Sequence, residues 1–212
     1  MRMLLIRHGE IISNTQRRLD TNQPGPSLTE VGRRQAESLA ERLMTESVDA
    51  VFRSPLTRTR ETIEPFLHLS RTEATVIDAL AEIPAGIHEG KNDDDARNGY
   101  HAAIHAWVAG DLGHRIPRGP DGHEFFDAYD SAIDAVRESG ADTVVVVSHG
   151  AAIRAWSGVR AINLDGEFIR THELGNTGIV ELQLTDDGWV CTAWDSAPLT
   201  AGATDIPGDR LS

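Results

Sequence analysis

The chain has 212 residues, 40% hydrophobic and 25% charged, with a formal net charge of −13 and one cysteine. That is the make-up of a single globular unit, and its acidity argues against a nucleic-acid partner, which a basic face would signal. No apolar run approaches the roughly 20 residues of a membrane helix, the lone Cys191 precludes an internal disulfide, and the apolar start Met3–Ile6 is too short for a secretion signal; the expected setting is cytoplasmic, away from the membrane.

In chain order, strands are expected at 2–7, 48–53, 74–78, 143–148, 178–184 and 189–194. A helix is expected at 28–45, where Leu28, Ala36, Leu39, Ala40, Leu43 and Met44 fall on one stripe, with Ser27 and Glu30 as a capping box. Ser54-Pro55 reads as an N-cap and first turn of a second helix, which Pro65 should kink or end. The stretch 84–122 is rich in glycine and aspartate and reads as an insertion over a crevice, with a short amphipathic piece at 99–109. Helices follow at 123–139, with Phe126, Tyr129, Ala132, Ile133 and Val136 inward, and at 151–162. The turn Thr185-Asp186-Asp187-Gly188 makes the last two strands an antiparallel hairpin. Residues 198–212 read as an irregular tail. Strands alternating with helices imply an α/β/α sandwich around a mostly parallel six-stranded sheet with an antiparallel strand near one edge, and a single catalytic domain over 1–212.

Two segments carry chemistry. Met3-Leu4-Leu5-Ile6 runs into Arg7-His8-Gly9-Glu10, and Val144-Val145-Val146-Val147-Ser148 runs into His149-Gly150. Each reads as a buried strand ending at a histidine and a glycine. Ligands of open parallel sheets bind outside the carboxyl ends of the strands, so both imidazoles are expected at one crevice. A neutral imidazole can carry a phosphoryl group if its other ring nitrogen is held by an acceptor. Arg7 and Arg58 can pair with phosphate oxygens bidentately. The helices after Ser54 and Gly150 would add backbone amides. Glu82, just past a strand, can protonate a leaving alkoxide. In so acidic a chain, a phosphate site has to be local and rich in arginine.

These motifs together resemble the histidine phosphatase superfamily, the phosphoglycerate mutase-like branch with Arg-His-Gly after its first strand. Arg7-His8-Gly9-Glu10 with Asn14 resembles the nucleophile loop. Ser27-Leu28-Thr29 with Gly32 and Gln35-Ala36 is similar to the helix that follows it. Ser54-Pro55-Leu56-Thr57-Arg58 with Thr62 resembles the second arginine motif. Leu80-Ala81-Glu82-Ile83 with Gly86, Glu89 and Gly90 resembles the acid motif, and Ser148-His149-Gly150 the second-histidine motif. The resemblance implies that His8 becomes phosphohistidine. It also implies that Arg7, Asn14, Arg58, His149 and Gly150 bind the phosphate, and that Glu82 is the acid. It implies neither cofactor nor metal, and it places the first and fourth strands side by side. Ile11 stands where a Ser or Thr is usual, with Ser13 close by; Ile87-His88 and Pro84-Ala85 depart from the pattern around Glu82.

The implied activity is hydrolysis of a small phosphorylated metabolite, with sugar phosphates or broad specificity as the default. A cofactor-dependent phosphoglycerate mutase is the alternative enzyme of the superfamily, and a non-catalytic phosphate-binding or protein-interaction relative that kept the fold is the alternative of a different class. Asp93–Asp95, His101, His105, His114 and His123 are candidates for contacts to a polar leaving group. His101 and His105 have the spacing of zinc ligands but lack the acidic partner of a metalloprotease helix, and are read as non-ligands. Trp107 is expected to pack the insertion onto the body. The oligomeric state is not readable, a homodimer being left open.

Overall fold

A computed structural model of the chain describes residues 1–195 and 197–198. Its strands are β1 (Arg2–Arg7), β2 (Ala50–Arg53), β3 (Ala74–Val76), β4 (Thr143–Ser148), β5 (Ile179–Thr185), β6 (Gly188–Trp194) and a two-residue β7 (Ala197–Pro198). The helices are α1 (Ile12–Thr15), α2 (Glu30–Leu43), α3 (Thr57–Ser70), α4 (Asp94–Val108), α5 (Gly122–Glu138), α6 (Gly150–Arg160) and α7 (Gly166–Thr171). One sheet runs β3-β2-β4-β1-β5-β6-β7. The pairings from β3 to β1 are parallel, and those from β1 to β7 antiparallel. The antiparallel strand anticipated near an edge is β5, and β7 adds a short seventh strand. Apart from Pro198, the expected tail lies outside the described residues.

The valine run explains the layering. Side chains alternate across a strand, so a strand covered on both faces must be apolar at every position. Val144 and Val146 enter the core beneath α4, α5 and α6, together with Met3 and Leu5. Val145 and Val147 enter the opposite core beneath α2 and α3, together with Leu4 and Ile6. Trp107 is fully buried and stacks on Phe125 with centroids 5.7 Å apart, which fastens α4 to α5 as expected. Cys191 is buried core, and burial pushes its thiol up to about 12.

Local chemistry differs from the sequence expectations in four places. α2 is capped by Thr29, whose hydroxyl accepts from Gly32 N at 3.0 Å, and not by Ser27. α3 begins at Thr57 without a side-chain cap, because Ser54 is drawn into the site described below. Pro65 lies inside α3, which continues to Ser70. One missing helical hydrogen bond is tolerated there because Ile63 and Phe66, on either side, are buried in the core. The amphipathic piece of the insertion is the fifteen-residue α4, with Asp93 as its N-cap and Asp94 and Asp95 in its first turn. The acidic run therefore favours the positive end of a helix dipole and supplies no contact to the cleft.

Candidate active site

Register delivers the two histidines to one place. Arg7 pairs with Ser148 across β1 and β4, so His8 and His149 are the next residues on adjacent parallel strands. His8 N donates to Ser148 O at 3.1 Å, and the two imidazole centroids are 5.3 Å apart. β2 ends alongside, where Ser54 N donates to Val147 O at 3.0 Å.

His8 is 4% exposed, and its Nδ1 lies 2.8 Å from the carbonyl of Gly9. A carbonyl only accepts, so Nδ1 carries the proton and Nε2 keeps the lone pair. Burial, then Arg58 and Arg7, push the His8 pKa well below its usual 6.5, which keeps the ring neutral. Thr62 supports the loop by accepting from Gly9 N at 2.9 Å.

The cleft over His8 has a volume of about 400 Å³ and is lined by six arginines, Arg7, Arg17, Arg18, Arg58, Arg97 and Arg154, against three carboxylates, Asp20, Glu82 and Glu173. In a chain of net charge −13 this is a strong local inversion. Five buried polar side-chain atoms lack a partner among the described residues, and four belong to these arginines: Arg7 Nε, Arg18 Nε, Arg58 Nη1 and Arg154 Nε. A buried guanidinium N–H without an acceptor is costly, and an oxyanion in the cleft is what would supply one.

Arg58 is 1% exposed. Its Nε donates to His149 Nδ1 at 3.2 Å and its Nη2 to Asp20 O at 3.1 Å. The remaining ring nitrogen, His149 Nε2, lies 2.7 Å from Ser54 Oγ. His149 is therefore neutral, fully engaged and absent from the cleft lining. Both ring nitrogens have protein partners, Arg58 Nε on Nδ1 and Ser54 Oγ on Nε2, so His149 orients the guanidinium. Arg7 donates from Nη1 to Leu174 O at 2.5 Å, and its side chain passes close to Gly150. A Cβ at residue 150 would come within 3.0 Å of Arg7 Nε, which explains the glycine after this histidine.

Glu82 lines the cleft and also accepts from backbone amides. Its Oε1 accepts from Ile83 N at 3.0 Å and Ala152 N at 2.9 Å, and its Oε2 accepts from Ala151 N at 3.2 Å. Two amides in the first turn of α6, those of Ala151 and Ala152, thus donate to Glu82, and at α3 Thr57 N donates to Pro24 O. Gly150, the first residue of α6, itself lines the cleft, where arginine side chains are the most numerous donors. Burial nevertheless raises the Glu82 pKa above its ordinary value, against the lowering effect of the three amides and Arg58.

Asn14 accepts on Oδ1 from Ile11 N and from Asn176 Nδ2, both at 3.1 Å, so its own amide nitrogen stays available to the cleft it lines. Ser13 cannot replace a hydroxyl at position 11, because its Oγ donates to Asp20 Oδ2 at 2.6 Å. Of the histidines considered for leaving-group contacts, only His101 lines the cleft. Sequence reasoning missed Arg17, Arg18, Arg154 and Asn176. Arg154 had a signal, since it lies one helical turn beyond Gly150 on the same face. Asn176, which also donates to His8 O at 3.0 Å, comes from the loop before β5 and had none.

The buried histidines make a stability prediction. Both His8 and His149 have depressed pKa values, chiefly through burial and then through Arg58. The unfolded chain binds these protons near the ordinary 6.5 and the folded chain does not. Their contribution is complete above that value and is lost as the pH falls towards the folded values. Titration calorimetry of unfolding should show proton uptake below pH 6.5, measured in Glu82→Gln because the raised carboxyl works in the opposite sense.

A neutral imidazole, convergent guanidiniums and a buried carboxyl at the carboxyl end of a parallel sheet define an enzyme site for phosphate esters. The model of the histidine phosphatase superfamily (branch 1) matches residues 3–197, and the chain belongs to that superfamily. It is 31% identical over 222 residues to the PE-PGRS family protein PE_PGRS11 of Mycobacterium tuberculosis, an alignment covering 95% of this chain and 37% of that protein. The chain therefore spans little more than a third of that longer relative. It is 28% identical to the probable phosphoglycerate mutase GpmB of Photorhabdus laumondii, covering 92% of this chain and 90% of that one. The structure of a mycobacterial glucosyl-3-phosphoglycerate phosphatase complexed with VO3 matches with a TM-score of 0.78 at 21% identity, covering 92% of this chain and 99% of that chain, and shares its fold. Among the described residues no helix is long and apolar enough to cross a membrane.

Proposed function

We propose that this chain hydrolyses small phosphomonoesters through a phosphohistidine at His8 Nε2. The observation that carries this reading is the Nδ1 bond to Gly9 O, which leaves Nε2 as the nucleophilic nitrogen in a cleft of acceptor-seeking arginines. Nε2 attacks phosphorus while Arg7 and Arg58 hold the equatorial oxygens, where charge is spread in the transition state. The bond to the leaving oxygen breaks, and Glu82 gives that oxygen its proton. Oε2, with one amide donor against two on Oε1, is the oxygen that bears it. Glu82, now ionised, takes a proton from water. The resulting hydroxide displaces the phosphoryl group, and His8 returns neutral. Asn14 contributes an amide donor to the phosphate. The substrate class is a small metabolite ester, the setting is cytoplasmic, and neither cofactor nor metal enters the steps.

The sign of the pH dependence follows. Glu82 acts protonated, so kcat on an alkyl phosphate falls as pH rises through its raised pKa; His8 acts neutral, so activity persists well below pH 6.5. In Glu82→Gln the alkaline limb should vanish along with most alkyl-phosphate turnover. An unchanged limb would remove Glu82 from the acid role.

The GpmB relative gives one reason to weigh mutase chemistry. Against it, of the cations in 84–122 only Arg97 lines the cleft, while Arg115 is locked to Asp121 and Glu124 at the surface. Incubation with 3-phosphoglycerate and 2,3-bisphosphoglycerate decides: phosphate release faster than isomerisation is expected, and the reverse order makes the enzyme a mutase.

A further inference from the structure

We infer that Tyr100, on the lid helix α4, is a positioning residue for the proton donor Glu82; the inference rests on the acid role proposed above. Glu82 sits between two hydroxyl-to-carbonyl ties. On one side Ser148 Oγ donates to Leu80 O at 2.8 Å and is itself held by Tyr129 OH at 3.0 Å. On the other side Tyr100 OH donates to Ile83 O at 2.9 Å.

Ile83 makes the second tie consequential. Its N–H donates to the carboxylate of Glu82, and its C=O receives the tyrosine. Both flanking peptide groups of one residue are thereby fixed. Pro84 follows, which confines Ile83 to extended backbone and leaves the next nitrogen without a proton. Ile83 is fully buried and Tyr100 is 2% exposed, so neither group has water as a substitute partner. Burial, then the nearby Glu82 and Glu89, hold the tyrosine pKa well above its ordinary value, so the hydroxyl remains a donor throughout the working pH range.

The tie also joins the insertion to the chemistry. α4 belongs to the segment read from the sequence as an insertion over the crevice, and of its three cleft-lining residues, Arg97, Tyr100 and His101, the tyrosine is bonded to the acid segment. A carboxylic acid transfers its proton well only within hydrogen-bond reach of the leaving oxygen, and small misplacements are expensive. Ser148 abuts His149, so altering it would disturb the phosphate side as well. Tyr100→Phe removes one hydroxyl, keeps the ring that fills the core, and isolates the acid side.

The test compares two substrates in four proteins: wild type, Tyr100→Phe, Glu82→Gln and the double variant. p-Nitrophenolate leaves without protonation, whereas the alkoxide of glycerol 2-phosphate requires it. Tyr100→Phe is expected to lower kcat on glycerol 2-phosphate by roughly tenfold or more, with KM nearly unchanged. Its kcat on p-nitrophenyl phosphate should stay within about twofold of wild type. In the Glu82→Gln background the tyrosine substitution should have no further effect on either substrate, a non-additivity that loosened packing would not produce. Thermal melting checks that Tyr100→Phe is folded, and Tyr100→Leu serves as a second variant, smaller than tyrosine and with no group that can donate to Ile83 O. Equal losses on both substrates, no loss, or an additive loss in the double variant would overturn the positioning role. If Glu82→Gln itself shows no leaving-group dependence, the acid assignment fails instead.

Discussion

His8→Ala is expected to abolish phosphomonoester turnover while leaving the fold intact. Nucleophile knockouts in enzymes with covalent intermediates lose on the order of 10⁶ in kcat, with residual rate supplied by the remaining binding groups. The loss here should be at least roughly 10⁴-fold, because the arginine cleft can still bind the ester but has nothing to attack it. The ring touches His149 and the Gly9 carbonyl and belongs to none of the apolar clusters, so the melting temperature should move little. Acid-labile label from a phosphate-labelled ester should appear on wild type, chase into inorganic phosphate, and be missing from the variant. Retained turnover in folded His8→Ala would end the phosphohistidine mechanism.

Arg58→Met should be nearly as damaging through a different route. The guanidinium is buried, forms no ion pair among the described residues, and leaves Nη1 without an acceptor. Burial accordingly lowers its pKa, the carboxylates Glu82 and Asp20 countering only in part. Such a group costs stability, which the proposed contact with the phosphoryl oxygens would offset; arginines in comparable positions contribute about 10³-fold or more to phosphoryl transfer. A loss of that order in kcat/KM is expected, together with loss of the rise in melting temperature that inorganic phosphate gives the wild type. Arg58→Lys should rescue little, since one ammonium cannot reach His149 Nδ1, Asp20 O and the phosphate together. An undiminished phosphate-induced stabilisation in Arg58→Met would move the anion site elsewhere in the cleft.

The two substitutions separate functions that the sequence presents as one cluster. His8 and Arg58 both meet His149, and of the two imidazoles only His8 keeps a ring nitrogen without a hydrogen-bond partner among the described residues. The histidine echo in the sequence suggested two phosphate-facing imidazoles. The structure makes them unequal, because a neighbouring guanidinium and the Ser54 hydroxyl claim both nitrogens of the second ring. Glu82 shows the same kind of competition. The start of α6 and a carboxylate were each expected at the cleft, and their mutual attraction leaves the carboxylate capping the helix.

Hydrophobic pattern and turn chemistry act over a few residues, and the chain determined by itself whatever depends on them. The all-apolar runs at 3–6 and 144–147 could satisfy both faces only inside a layered sheet, so they dictated the sandwich and placed His8 and His149 past strand ends. The hairpin at 185–188 and the inward face of α5 were equally local. Only tertiary structure decided which donors and acceptors pair. It gathered Arg17, Arg18, Arg97 and Arg154 around the cleft from three separate segments, and it brought Asn176 under His8 and Tyr100 beside Glu82. Hydrogen bonds and guanidinium contacts are short-ranged and directional. Their partners are fixed by the packed positions of the backbone, and residue spacing along the chain carries no record of those positions.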